Sequence, residues 1–389
     1  MLAIKLAYRN LVGAGLRTWL NVFVLSFIYV LIIWHYGILD GWNYQANKDM
    51  KAWEVGSGQY WQENYDPYDF FTLEDSHAEI PDVLQKAIND EILSPVLISQ
   101  ATIYPEGRLQ SILLKGIKPK QNVVEIPSNN LDVESEEIPA IIGRRMAKSS
   151  KLKKGDITTI RWRDVNGTFD AATIKVVEIF NCNVPNVDAG QIYIPIKKHR
   201  QMMQAPNQAT MFVVSENSTM NDSVPGWEYK NLDFLMKEMN EMMKMKRVGS
   251  SFFYVILMLL AMLAIFDTQV LSIFRRKKEI GTYIAMGMIR GQVVGLFTVE
   301  GAMHAILAVV VGLAYGLPFL LWQMNTGMAM PAGSDDMGIA IAERIFPVYG
   351  VGLIITTVLL GLIITTIVSY LPARRISKMK PTEAIKGKL

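Results

Sequence analysis

The apolar positions along the chain fall into two regimes. Residues 20–39, 248–274, 292–322 and 346–371 are almost continuously apolar. The first and last of these carry no Asp, Glu, Lys or Arg, the second only Asp267 and the third only Glu300. About 20 apolar residues in helix cross a bilayer, so the pattern predicts four transmembrane helices in a 1+3 order. Between the first two lies a long segment, 40–247, where apolar residues alternate with polar ones or recur at helical spacing. Residues 96–104 and 109–117 around Pro105-Glu106-Gly107 read as a hairpin. So do 157–163 and 169–180 around Asn166-Gly167, and Asn-Gly is the strongest short hairpin signal. Residues 80–88 read as a short helix and 141–154 as strand then helix. Residues 191–194 and 211–214 read as strands flanking a helix from about Pro195. The expected fold class is an α-helical membrane protein with an α+β extracytoplasmic domain of two subdomains, the middle one (about 115–190) inserted into the other. Residues 231–247 are helical with no breaker before the second span, which predicts one rod of about 60 Å at 1.5 Å per residue.

Charge decides the orientation. Residues 1–19 hold Lys5, Arg9 and Arg17 with no acid. The turn 275–291 holds Arg275, Arg276, Lys277, Lys278 and Arg290 against Glu279, and the tail 372–389 has six basic residues against Glu383. The loop 323–345 has Asp335, Asp336 and Glu343 against Arg344, and 40–247 has 24 basic and 29 acidic residues, a net −5. Basic flanks stay inside, which places both termini and 275–291 in the cytoplasm and 40–247 outside. Residues 1–19 set Ile4, Ala7, Leu11 and Ala14 opposite Lys5 and Arg9, an interfacial helix. No small-x-small site follows the first span, so it reads as an uncleaved anchor and not a signal peptide.

Composition narrows the function. With 50% hydrophobic and 19% charged residues the chain is too apolar for disorder, and a net charge of +3 makes no case for nucleic acid. The single cysteine, Cys182, rules out an internal disulfide framework and a multi-Cys zinc site. There is no G-x-x-x-x-G-K-[ST], H-E-x-x-H or G-x-S-x-G. The expectation is a non-enzymatic chain with no catalytic residue, metal or cofactor of its own.

Several residues stand out. Glu300 and His304, one turn apart on the third span, are a candidate intramembrane polar pair: a proton relay, or more plainly hydrogen bonding inside a helix bundle. Asp267 reads as structural, pairing with Arg275 or Arg276. Gly312 and Gly316 form a small-xxx-small pair for close helix contact. Met236, Met239, Met242, Met243 and Met245 invite soft-metal ligation, but no Cys or His lies nearby, and the cluster reads as packing or as a surface for an apolar substrate. The run 275–287 goes beyond a charge anchor. After its four basic residues come Glu279, Ile280 and Gly281, then apolar Ile284, Ala285 and Met286, a pattern suited to docking into a groove on another protein.

Here the chain resembles the FtsX-like permeases of ABC transporters, a family that includes the LolC- and LolE-type lipoprotein-releasing permeases and the permease half of MacB-type macrolide exporters. The likeness rests on 275–287 with Glu300-Gly301, on the tail 372–385, and on 116–119, 143–156 and 191–195 in the outer segment. It implies a bacterial inner-membrane, multi-pass protein working as a homo- or heterodimer. Separate ABC ATPase subunits, binding ATP and Mg, would dock on Arg276, Lys277, Lys278, Glu279, Ile280, Gly281, Ile284, Met286 and Gly287. It also implies that ATP-driven motion reaches the periplasmic domain, foremost for lipoprotein release, with a periplasmic carrier or a lipoprotein as candidate partner, although no loop that would bind a carrier is identifiable. The alternatives are export of periplasmic small molecules or peptides and FtsX-like regulation of a cell-wall hydrolase.

Overall fold

The computed structural model describes residues 15–376 apart from Glu134, Asn217, Thr219, Asn221 and 331–343. The interfacial helix, the acids of the loop 323–345 and most of the basic tail lie outside the described residues. The chain divides into two compact units, one of helices (within 1–42, 242–328 and 345–389) and one built on a sheet (within 43–241 and 329–344).

The helix unit draws on α1 (Leu16–Met50), α5 (Lys237–Arg275), α6 (Lys277–Ala285), α7 (Arg290–Thr326) and α8 (Val351–Ile376). All but α6 are long and apolar enough to cross a membrane. α1 is the central one: 61% of its most apolar window is buried, against 22–28% for the others. Its Val22, Leu25, Tyr29 and Ile32 pack with Tyr254, Met258 and Ile265 of α5, Ala305 and Ala308 of α7 and Val368 of α8. Polar bonds run along the α1–α5 seam: Asn21 to Thr268 at 2.6 Å, Tyr36 to Ser251 at 2.9 Å, and Arg247 to Asp40 at 2.5 Å. His35 bonds Tyr254 on the same seam.

Two helix ends differ from the apolar pattern. α1 continues past residue 39 to Met50, because 40–50 contain no proline and Asn47 bonds back to Asn43. Residues 346–350 are not helical, and α8 starts at Val351. The Val348 amide donates instead to the Gly37 carbonyl of α1 at 2.9 Å, and Gly41 lies where a side chain would meet the Phe346 backbone. From the far end, α5 is unbroken from Lys237, preceded by a separate turn Leu232–Leu235.

The sheet unit contains β1 (Gly58–Gln62), α2 (Asp82–Asn89), β2 (Leu93–Ile103), β3 (Gln110–Ile117), β4 (Ile138–Gly143), α3 (Arg144–Ser150), β5 (Ile157–Arg163), β6 (Phe169–Phe180), β7 (Gln191–Pro195), α4 (Ile196–Met203), β8 (Met211–Val214) and β9 (Trp227–Asn231). The strand order is β9-β1-β8-β2-β3-β7-β4-β6-β5. β5 pairs back onto the second half of β2, Ala101 opposite Trp162, so six strands close into a barrel. β3–β7 and β4–β6 are parallel and the other neighbours antiparallel. Both predicted hairpins form, β2–β3 and β5–β6. Alternation decides what points inward: Thr158, Ile160 and Trp162 of β5 are buried and their neighbours exposed. Ile160 and Trp162 join Leu97, Leu114, Ile142, Ile174 and Ile192 in the barrel core. Strands from inside 115–190 and from either side of it therefore share one barrel. On the first half of β2, β8, β1 and β9 continue the sheet, and α2 covers a second core of Tyr60, Leu84, Phe212 and Trp227.

Candidate functional site

The run expected to dock a partner is the helix α6 and its flanks. α5 ends at Arg275 and Arg276 leaves helical geometry (φ −99°, ψ 19°), so the chain turns before α6 begins. The end of α6 is set by Gly287, whose positive φ of 96° favours glycine. There the amides of Gly287 and Met288 bond the carbonyls of Ile284 and Tyr283, both at 3.0 Å, a Schellman stop. Ile289 then opens α7, its amide bonded to the Gln292 side chain at 3.1 Å.

Burial divides the expected residues. Ile280 and Gly281 are buried, Ile280 beside Ile273, Val293, Phe297 and Ala373, with Ile284 packed against the same cluster. These side chains hold α6 to α5, α7 and α8. Lys277 lies over the Phe274 ring at 4.3 Å. Lys278, Glu279, Met286 and Gly287 are exposed, Met286 at 70%. Ile289, absent from the expected set, is as exposed at 69%. Its signal was available: an apolar residue beside a glycine stop, one residue before the next helix.

Glu300 and His304 do not pair through their side chains. The His304 ring nitrogen Nδ1 bonds the carbonyls of Glu300 and Gly301, at 3.2 and 3.3 Å. The Glu300 carboxylate, 5% exposed, is taken by Arg276, whose Nη1 lies 3.1 and 3.0 Å from its two oxygens. Arg276 Nε donates to Glu279 at 2.7 Å, and the guanidinium stacks over Phe297 at 4.9 Å. Arg276 thus pairs with Glu279 and Glu300 and not with Asp267, because α6 turns it towards α7 while Asp267 sits on an exposed face of α5.

Gly312 and Gly316 are buried against α1. Ser26 and Val30 come within 3.6–3.7 Å of a side chain built at Gly312, and Val30 fills the space at Gly316. Of the methionines, Met236 and Met243 are buried and Met245 is exposed. Among the described residues no three His, Cys, Asp or Glu side chains are grouped to hold a metal ion. Between α1, α5 and α8 opens an apolar cleft of about 450 Å³, lined by Tyr36, Ser251, Met258, Met262, Thr356 and Leu360 among others.

About a third of the chain, including α6, matches a known protein family. Residues 251–381 match the FtsX-like permease C-terminal family. An uncharacterized ABC transporter permease of Methanocaldococcus jannaschii is 29% identical over 130 residues, 33% of this chain and 30% of that one. The matched stretch thus spans under a third of that relative. The extracellular domain of the noncanonic ABC-type transporter YknZ from Gram-positive bacteria aligns with 42% of this chain and 84% of its own at 14% identity. Its TM-score of 0.26 is too low to say anything of the fold. Residues 251–381, the stretch that matches this family, carry most of α5 and all of α6, α7 and α8, with the motifs at 275–287 and 300–301 inside it.

Proposed function

We propose that this chain is the membrane subunit of an ABC-type complex and that a separate ATPase docks on the exposed end of α6. The observation that carries the reading is the division of α6. One face is buried in the helix bundle, while Lys278, Glu279, Met286 and Ile289 remain exposed within a segment matching an ABC permease family. Two exposed apolar side chains near the charged Lys278 and Glu279 are the chemistry of a small helix-in-groove contact. On this reading, ATP binding and hydrolysis in the partner move the helix unit, and α1 and α5 carry that motion towards the sheet unit, outside the cell. Lipoprotein release is the activity we favour, because the apolar cleft between α1, α5 and α8 suits an acyl chain drawn from the bilayer.

The test is capture. Met286→Asp places a charge at the centre of the exposed apolar end and is expected to reduce co-purification of the ATPase by tenfold or more, on the order of a 1.4 kcal/mol loss, with membrane insertion unchanged. Undiminished capture by that variant sinks the docking surface. Lipid-modified proteins trapped with the complex support release, whereas a stable cell-wall hydrolase on 40–247 without lipidated cargo supports the regulatory alternative.

A further inference from the structure

We propose that Arg276 and Glu300 form the joint through which movement of α6 is passed to α7, so that motion enters the bundle sideways through α7 as well as end-on along α5. This rests on the docking reading above and goes beyond it by naming the route and its positioning residues. The backbone from α5 into α6 bends at a single residue, Arg276. That same residue is tied elsewhere: one guanidinium reaches both oxygens of Glu300 on α7 and one oxygen of Glu279 on α6, at 2.7–3.1 Å, and stacks on Phe297 of α7. A planar cation with several fixed donors suits this task, where a lysine ammonium does not. Glu300 is buried, so its charge is tolerated only while Arg276 is present, and the bonds between two full charges are strong ones.

The apolar contacts beneath this pair are of another kind. Ile280, Ile273, Val293, Phe297 and Ala373 make a non-directional cluster that permits α6 to pivot. The ion pair sets the register of that pivot. The next residue extends the route: Gly301 lies where any side chain would strike Ser369 of α8, so α7 and α8 approach closely beside Glu300. Motion of α6 therefore passes through Arg276 and Glu300 to α7, and through the Gly301–Ser369 contact to α8.

The experiment uses the full chain with spin labels at Thr282→Cys on α6 and Val310→Cys on α7. Both positions are exposed, and the native Cys182 is buried. In the otherwise unmutated chain the label distance is expected to be one narrow distribution. Glu300→Gln and Arg276→Gln are expected to broaden it, and the exchanged pair Arg276→Glu with Glu300→Arg to narrow it again. No broadening in either single variant overturns the joint. In the second measurement, the captured ATPase is expected to remain bound to Glu300→Gln while its stimulation by the permease falls roughly tenfold. Unchanged stimulation overturns the route. Failure of the chain with native Arg276 and Glu300 to capture any ATPase instead sinks the docking reading, and the label distances still decide the joint.

Discussion

His199 shows how far burial alone sets the chemistry of a side chain. It is fully buried beside β2, with Nε2 2.7 Å from the Ser99 hydroxyl, and burial lowers its pKa from 6.5 to about 3. Between those values the unfolded chain carries a proton that the folded one does not, so acid favours unfolding. The contribution is complete above about pH 6.5 and is lost progressively as the pH falls towards 3, by a few kcal/mol in all. Melting of the solubilised protein, followed through its β-sheet signal, is expected to show this slope, and His199→Gln to flatten it. An equal slope in both would mean that other groups carry the acid sensitivity.

At the scale of helices, the central α1 is held by shape more than by charge. Gly316 of α7 has no room for a side chain beside Val30, and Gly361 of α8 none beside Tyr29. Gly316→Ala is expected to cost about 1–3 kcal/mol by overpacking, read as a lower melting temperature in detergent. Val30→Ala in the same chain is expected to restore part of it. A Gly316→Ala variant that melts like its parent would show that α1 and α7 can separate without cost.

For the molecule as a whole, the two units have separate cores: the barrel cluster around Leu114 and Trp162, and the helix cluster around Tyr29 and Met258. Two cores in one chain can unfold in two transitions. Urea titration in mild detergent is therefore expected to melt the sheet first while the helical signal persists. One coincident transition for both signals would show the units to be thermodynamically coupled.

The four apolar helices and both hairpins were legible in the order of residues. Each rests on interactions close in sequence: continuous apolarity, period-two alternation, turn glycines, and charge beside a span. The closure of the barrel was not, because β2 meets β5 through residues some 60 positions apart, and nothing local marks that pairing. Nor was the partner of Glu300. A lone carboxylate in an apolar span demands a counter-group, and several cations stood nearby, but which one arrives depends on the bend at Arg276 and the burial of Ile280. The sequence by itself determined where the long apolar helices and the two hairpins lie and which side chains need a partner, while helix ends such as 40–50 and 346–350 followed from packing. Tertiary structure alone decided the partners, because long-range contact depends on how helices and strands pack once their local form is set.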